Sequence, residues 1–220
     1  MYGLTELARE QVKGARLVAN PGCYPTCAQL PLRPLLEAGL ISKEGIIIDA
    51  KSGASGAGRG AKEASLYCEV TDGLHAYGVT AHRHVPEIEQ GLAEVAGGED
   101  VTISFTPHLM PMSRGMLCTS YVNMTEGTSV DDLRAHLSQR YADEPFVIVT
   151  DAGVSPQTRH VRGSNYCVIG VFADRIPGRA IVLSVIDNVC KGASGQALQN
   201  MNLVMGFEET TGLMMQPLFP

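Results

Sequence analysis

The sequence predicts an α+β fold built on a mixed, largely antiparallel sheet with helices on one face. Strand-like and helix-like segments follow one another without the regular alternation that is typical of doubly wound parallel sheets. Residues 174–179 separate two strand-like runs and are typical of a hairpin connection. No repeat, low-complexity segment or interdomain linker divides the 220 residues. We therefore expect residues 1–220 to form a single domain.

The first 60 residues predict a strand, a helix and a second strand. Residues 16–19 have the composition of a short strand. Leucines at near-helical spacing predict a helix over residues 26–40, whose first half is irregular because of its prolines. The β-branched run at residues 45–50 predicts a buried strand. The loop at residues 52–60 that follows has too many glycines for a regular element.

The rest of the chain predicts three helices and five strands. Residues 86–96 carry apolar side chains at helical spacing behind a proline in the first turn. A serine and two aspartates open an amphipathic helix over residues 129–141, and residues 195–204 predict a last helix. Apolar and β-branched runs predict strands over residues 101–106, 116–123, 146–149, 167–174 and 179–185.

Charge and hydropathy exclude several classes of function. The 17 Lys and Arg against 23 Asp and Glu give a net charge of −6, and no basic stripe could neutralise a phosphate backbone. We therefore expect no nucleic-acid partner. No apolar run approaches the roughly 20 residues that a membrane span needs. The first residues lack the basic and apolar regions of a secretory signal, so we expect a cytoplasmic protein.

The six cysteines do not form a recognisable metal or disulfide pattern. No CxxC occurs, and no cluster of His and Cys has the paired spacing of a structural zinc site. We expect no metal centre, and we expect most of the cysteines to be buried free thiols.

Cys23 is the strongest candidate for a reactive residue. It lies in the segment NPGCYPT at residues 20–26, in which Pro21 and Gly22 restrict and bend the backbone. This turn predicts a position at or near a helix N-terminus, where unpaired N–H groups and the helix dipole favour a thiolate. We predict a nucleophilic thiolate at Cys23. The alternative is a small buried apolar residue.

Two histidines and an arginine crowd the start of a predicted helix in the segment AHRHVPEIEQ at residues 81–90. Because histidine can move protons near neutral pH, His82 and His84 are candidates for a general acid or base. The alternative is a solvated helix start with incidental histidines. As metal ligands the two histidines would have no third partner nearby in the sequence.

Two glycine-rich segments are candidates for anion binding. The loop at residues 52–60 has neither the GK[ST] ending of a P-loop nor a GxGxxG dinucleotide motif, but its backbone N–H groups could hold a phosphate. A merely flexible surface loop is the alternative. The segment at residues 187–196 opens the last helix, where glycines allow anion binding or the close approach of a second backbone.

Six segments cover most of the chain in a fixed order. They are YGLTEL at residues 2–7, ANPGCYPT at 19–26, IIIDAKSGASGAGR at 46–59, AHRHVPEIEQ at 81–90, TPHLMPMSRG at 106–115 and DNVCKGASGQALQNMN at 187–202. Together they closely resemble the N-acetyl-gamma-glutamyl-phosphate reductase family, which is related to aspartate-semialdehyde and glyceraldehyde-3-phosphate dehydrogenases.

The resemblance implies the C-terminal catalytic and dimerisation domain of such an enzyme. That family begins with a Rossmann nucleotide-binding domain of about 150 residues, and this sequence contains no GxGxxG motif. We therefore expect the NADP-binding Rossmann domain to be absent. The last helix, which in that family packs against this domain, should then be exposed or rearranged.

The resemblance also implies covalent chemistry. Cys23 would attack an acyl phosphate and hold a thioester, with His84 as general acid and base and His82 as a substrate contact or the alternative base. Asn20 and Arg114 are the other implied substrate contacts. A guanidinium group matches a carboxylate or a phosphate, whereas the alternative for Arg114 is a structural ion pair.

The implied cofactor is NADP, most of whose site would lie on the absent domain. NADPH would reduce the thioester of N-acetyl-glutamyl 5-phosphate to N-acetyl-glutamate 5-semialdehyde, with release of phosphate, in arginine biosynthesis. The chain alone should therefore be poor at hydride transfer. Implied partners are the small-molecule substrate, phosphate and further copies in a homodimer or homotetramer. Cofactor contacts are implied for Ser52, Gly53, Ser55, Gly56, Asn188, Gly192 and Gly195.

Three alternatives stay open at this point. The first is a non-catalytic module that dimerises or binds a partner subunit. The second is a reductase of another acyl phosphate, similar to aspartate-semialdehyde dehydrogenase. The third is a cysteine hydrolase, for which no sequence feature supplies the orienting third group.

Overall fold

Seven strands form one mixed sheet in the computed structural model, which describes residues 1–60 and 62–219. They are β1 (Ile47–Gly53), β2 (His75–Ala76), β3 (Ser104–Met110), β4 (Met116–Asn123), β5 (Val147–Val149), β6 (Cys167–Ala173) and β7 (Arg179–Ile186). Their order across the sheet is β2-β3-β1-β4-β7-β6-β5. Only the β1–β3 and β5–β6 pairings are parallel. The four others in this part of the chain are antiparallel, which confirms the predicted sheet.

Six α-helices accompany this sheet within the described residues. They are α1 (Thr5–Lys13), α2 (Cys23–Glu37), α3 (Tyr67–Val70), α4 (Val85–Val95), α5 (Val130–Arg140) and α6 (Gly195–Val204). A π-helical turn, Cys190–Ser194, leads directly into α6. Ser129 and Asp132 form the capping box that begins α5, as the predicted helix start suggested. None of these helices is both long and apolar enough to cross a membrane.

The position of α2 is decided by proline chemistry and packing. The helix begins at Cys23, earlier than predicted, with Pro25 in its first turn, where the missing N–H breaks no intrahelical bond. It continues past Pro31 and Pro34 because almost all of its residues are buried, against β4, β7 and two other helices. Tertiary packing therefore outweighs the local cost of the prolines and holds Cys23 at a helix N-terminus.

The two faces of the sheet are unequal. Along β4, Met116, Cys118, Ser120 and Val122 are buried, whereas the residues between them are half-buried. The buried face packs against α2, α4 and α5 in one core. We call the opposite side of the central strands the open face. It consists of Leu117, Thr119, Tyr121, Ile181 and Leu183, all half-buried.

Other local predictions also differ from the structure. The loop predicted over residues 52–60 holds regular elements, because β1 continues to Gly53 and a short 3-10 helix, Ala54–Ala57, follows it. Residues 16–19 form no strand, because only the single bridge from Tyr2 to Ala19 pairs them. The sequence gives no helical signal for α1, because this helix is kinked at Ala8 and buries too few apolar residues to show a helical period. β3 begins later than predicted and includes Pro107, which this strand tolerates because its outer neighbour β2 pairs with only two of its residues.

The last helix has an exposed apolar side. Met201 and Val204 on α6 are 49% and 38% exposed, and Met205 follows them at 62%. With Ala15 and Val18 these residues line a shallow groove at the surface.

Candidate active site

Cys23 is the first residue of α2 and is held by a network around Gly22. The Gly22 N–H donates to Oε1 of Glu87 on α4 at 2.9 Å, and the Gly22 carbonyl accepts the hydroxyl of Thr26 at 2.9 Å. The same Glu87 oxygen accepts the hydroxyl of Tyr2 at 2.9 Å. The turn before Cys23 is thus fixed by two helices and by the N-terminal segment.

Two glycines allow close packing around this turn. A methyl group at Gly22 would lie 2.5 Å from Nε2 of His84, and one at Gly192 would lie 2.8 Å from Cβ of Cys23. Such distances are impossible for real side chains. The absence of a side chain at Gly22 therefore allows His84 to approach the turn, and Gly192 lets the π-helical turn lie directly on Cys23.

His82 and His84 form an aromatic cluster beside Cys23. The backbone N–H of His84 donates to Nδ1 of His82 at 3.1 Å, so neutral His82 carries its proton on Nε2. The two rings are 4.9 Å apart, and both contact the ring of Tyr24 edge-on. His84 is buried, and its Nδ1 has no hydrogen-bond partner among the described residues. A buried ring nitrogen without a hydrogen-bond partner is available to bind a ligand group or to accept a proton.

The structure corrects the predicted protonation of Cys23. Burial raises the pKa of the Cys23 thiol to about 11, although the N–H of Tyr24 and the charge of Arg83 act in the opposite direction. Burial also lowers the pKa of His84 to about 4, with a contribution from His82 and Arg83. The predicted thiolate is therefore wrong for the free chain, because desolvation outweighs the helix N-terminus. The thiol form of Cys23 and the neutral form of His84 are thus both favoured near pH 7.

Cys23 lies where two cavities meet. The first has a volume of 380 Å³ and the second 480 Å³. Cys23, Gly56, Arg83 and His84 line both. Side chains that line only the first cavity include Tyr24, Ser52, Lys62, His75, Tyr77 and His82. Residues that line only the second include Asn20, Ser55, Asn188, Gly192 and Ser194.

The second cavity brings together most of the residues predicted to contact the cofactor. Ser55, Gly56, Asn188 and Gly192 line it, whereas Ser52 lines the first cavity. Asn188 joins its two walls, since its amide donates to the Ser55 hydroxyl at 3.0 Å and its carbonyl accepts the Gly115 N–H at 2.8 Å. Small side chains and amide groups next to a cysteine suit a flat, amide-bearing ring such as nicotinamide.

Gly53 and Gly195 line neither cavity. A methyl group at Gly53 would lie 2.9 Å from the backbone nitrogen of Arg114, and one at Gly195 would lie 2.3 Å from Oδ1 of Asn165. Both glycines therefore allow close internal packing. Arg83 is the cationic residue of the second cavity, so the described residues offer little to bind the phosphates of a dinucleotide.

The two other predicted substrate contacts make internal bonds. Asn20 lines the second cavity, where its amide donates to the carbonyl of Ala193 at 3.1 Å and its oxygen accepts from Asn200 at 3.2 Å. Arg114 lines neither cavity, and its Nη1 lies 3.7 Å from Oδ1 of the buried Asp187. The geometry thus favours the ion-pair alternative for Arg114.

Several residues of the site were not predicted from the sequence. Glu87 holds the turn before Cys23, and the hydroxyls of Tyr24 and Tyr77 meet at 2.9 Å in the first cavity. Lys62 also lines this cavity. Among these residues, only Glu87 had a signal in the sequence, namely its position inside the AHRHVPEIEQ segment. In the part of the chain that the structure describes, no group of three or more His, Cys, Asp or Glu could hold a metal ion.

The sequence is similar to several named reductases. It is 67% identical over 220 residues to the "Probable N-acetyl-gamma-glutamyl-phosphate reductase, chloroplastic" of Arabidopsis thaliana and covers 55% of that protein. It is 65% identical over 220 residues to the "N-acetyl-gamma-glutamyl-phosphate reductase" of Rhodospirillum rubrum and covers 62% of it. All of this chain is matched in both comparisons. The chain thus spans little more than half the length of these relatives.

Solved structures share the fold at low sequence identity. Aspartate semialdehyde dehydrogenase II from Vibrio cholerae superposes with a TM-score of 0.70 at 17% identity, over 92% of this chain and 66% of that one. The enzyme from Francisella tularensis gives 0.73 at 13% identity, over 93% and 70%. The family model "Semialdehyde dehydrogenase, dimerisation domain" matches residues 23–188, most of the chain. The chain therefore belongs to the family of semialdehyde dehydrogenase dimerisation domains.

Proposed function

We propose that this chain is the catalytic domain of an NADP-dependent reductase that converts N-acetyl-glutamyl 5-phosphate to N-acetyl-glutamate 5-semialdehyde and phosphate. The observation that carries the proposal is the position of Cys23 at the junction of two cavities, beside a neutral buried His84. One cavity can hold the acyl phosphate and the other a nicotinamide ring. The names of the similar reductases support the choice of substrate.

Each residue of the site has a separate role in the proposed reaction. His84 accepts the thiol proton as Cys23 attacks the carbonyl carbon, a carbon–sulfur bond forms, and the carbon–oxygen bond to phosphate breaks. His82, with its proton on Nε2, donates a hydrogen bond to the substrate carbonyl oxygen. A nicotinamide ring held among Ser55, Gly56, Asn188 and Gly192 in the second cavity would supply hydride to the thioester carbon. When the carbon–sulfur bond then breaks, the aldehyde leaves and His84 returns its proton to the sulfur.

The proposed assembly is a homodimer that forms through the open face. The matched family is named for dimerisation. Apart from Thr119, the side chains of the open face are apolar or aromatic, and all are only half-buried; Ile47 and Ile148 at strands β1 and β5 are 39% and 47% exposed. A two-fold contact between two such faces would bury them on both chains.

Acylation of Cys23 tests the proposed chemistry without a cofactor. The chain is incubated with N-acetyl-glutamyl phosphate, and intact and peptide mass spectrometry measure the acyl adduct while a phosphate assay measures release. We expect one equivalent of phosphate per chain and an adduct on Cys23. Cys23→Ser should give neither, and Cys68→Ser, at an exposed cysteine outside both cavities, should behave like the unmodified chain.

Other results of the acylation experiment would support the alternative functions. No adduct on Cys23 would favour the non-catalytic module. Continuous turnover with free N-acetyl-glutamate as the product would favour a hydrolase, because water would then reach the thioester.

A further inference from the structure

The first cavity has a charge that is opposite to that of the chain. The sequence carries 23 acidic residues against 17 basic ones. Nevertheless, the side chains around the first cavity include the cations Lys62 and Arg83, and no described Asp or Glu lines it. The second cavity, which shares Arg83, is also without a described carboxylate. An acidic chain that keeps its carboxylates out of one cavity is arranged for an anionic ligand.

Lys62 and Arg83 are available to such a ligand. Both are exposed, and neither forms an ion pair with any of the described residues. By contrast, Lys51 pairs with Asp49 at 2.7 Å on the same strand. A cation that faces a cavity without an internal partner can give its full hydrogen-bonding capacity to a ligand.

The two cations differ in their distance from the reaction centre. Arg83 lines both cavities with Cys23, and its charge lowers the pKa of Cys23 and of both neighbouring histidines. Arg83 is therefore close to the atoms that react. Lys62 lines only the first cavity and is not among the residues at the junction.

We propose, on the basis of the function assigned above, that Arg83 binds the phosphoryl group that leaves the substrate and that Lys62 binds the carboxylate at its other end. When the sulfur of Cys23 bonds to the carbonyl carbon, the bridging oxygen departs with its electron pair as inorganic phosphate. The planar guanidinium of Arg83 stabilises this growing negative charge. Lys62 gives selectivity for acyl phosphates that carry a second anion.

Two acyl phosphates of different charge test the assignment. Acetyl phosphate carries only the phosphoryl anion, whereas N-acetyl-glutamyl phosphate also carries a carboxylate. Arg83→Met should slow acylation of Cys23 by both substrates by about 100-fold, and Arg83→Lys by about 10-fold. Lys62→Met should slow acylation by N-acetyl-glutamyl phosphate by about 10-fold and leave the rate with acetyl phosphate unchanged. Arg175→Met, an exposed cation in the β6–β7 hairpin, is the matched control.

Labelling by iodoacetamide separates binding from thiol reactivity. This neutral reagent reports the reactivity of Cys23 itself, and each acylation rate is divided by the labelling rate of the same variant. If the corrected rate of Arg83→Met stays within about threefold of the unmodified chain, the assignment of Arg83 is wrong. Equal effects of Lys62→Met on both substrates would overturn the assignment of Lys62. If the unmodified chain accepts neither substrate, the proposed function itself fails and this assignment fails with it.

Discussion

The imidazole of His84 lies against Gly22, the residue before Cys23, and burial moves the pKa values of Cys23 and His84 in opposite directions, to about 11 and about 4. A neutral thiol beside a neutral imidazole is stable while the site is free, and proton transfer between them becomes useful once the carbonyl carbon is in place. Substrate binding can therefore control when the nucleophile forms. This arrangement also protects the thiol from incidental oxidants, which react with thiolates.

The reactivity of Cys23 should rise steeply with pH. Because the thiolate is the reactive form and the thiol pKa is about 11, iodoacetamide labelling should increase about tenfold per pH unit up to that value. Peptide mass spectrometry between about pH 7 and pH 11 measures the rate, with the exposed Cys68 as a reference within the chain. A plateau below about pH 8 would instead indicate a stabilised thiolate.

His84 should make the fold sensitive to acid. Its pKa is lowered in the folded chain, so the unfolded chain binds this proton more readily below about pH 6.5. The stabilisation is complete above that pH and is lost as pH falls towards about 4. In urea unfolding, the free energy of unfolding should fall by about 2 kcal/mol less on acidification for His84→Gln than for the unmodified chain. His136→Gln on α5 serves as the control, and an equal effect there would contradict the role of His84.

At the scale of elements, a buried ion pair connects the N-terminal helix with the π-helical turn. Lys191 of the turn and Glu6 of α1 are both completely buried and form a hydrogen-bonded pair, and Gln199 of α6 accepts from Lys191 at 2.7 Å. Burial alone would raise the pKa of Glu6, but the charge and hydrogen bond of Lys191 hold it below its ordinary value. The neighbouring Gly192 packs on Cys23, so this pair fixes one wall of the second cavity from inside.

Replacing one partner of this ion pair should destabilise the fold far more than replacing both partners. Lys191→Met leaves the Glu6 carboxylate buried without its partner and should lower the free energy of unfolding by about 3–5 kcal/mol. The double variant Lys191→Met, Glu6→Gln should recover most of that loss, because no buried charge remains. Urea unfolding measures both. Lys13→Met, which removes the exposed pair with Glu10, should change stability by less than about 1 kcal/mol.

A comparable loss in the single and double variants would contradict this account of the pair. It would indicate that Lys191 contributes through its packing against Phe146, whose ring centre lies 5.7 Å from Nζ, rather than through its charge.

At the scale of the whole molecule, one sheet separates the proposed chemistry from the proposed assembly. The helices that cover its buried face provide the turn before Cys23 and the start of α4, whereas the open face carries half-buried apolar and aromatic side chains. A change on the open face can therefore alter association while the residues around Cys23 keep their contacts.

A charge on the open face should dissociate the dimer. Leu183→Lys places an ammonium in the centre of that face, where dimerisation would have to desolvate it. Sedimentation velocity should give a dimer for the unmodified chain and a monomer for this variant. Ile176→Lys, at an exposed position in the β6–β7 hairpin, should remain dimeric. A monomeric unmodified chain would contradict the proposed assembly.

The sequence by itself determined the fold class, the helix start at Ser129 and the position of Cys23 at a helix N-terminus. These features depend on local signals, namely hydrophobic period, capping residues and a proline–glycine turn, which act between neighbours in the chain. The segment at residues 81–90 was also identified as a candidate site from local signals, since two histidines lie at the start of a predicted helix. The motifs also indicated a relationship to semialdehyde dehydrogenases, whose dimerisation-domain family matches residues 23–188.

Only the tertiary structure decided the protonation and the surroundings of the site. The pKa of Cys23 depends on burial by elements that are far away in the sequence, such as the turn that contains Gly192. Arg114 could not be distinguished as an ion-pair residue before its distance to Asp187 was known. Lys62 became a candidate only when the fold brought its loop to the cavity of Cys23. Desolvation and long-range contacts have no local sequence signature, because they arise only when distant segments pack together.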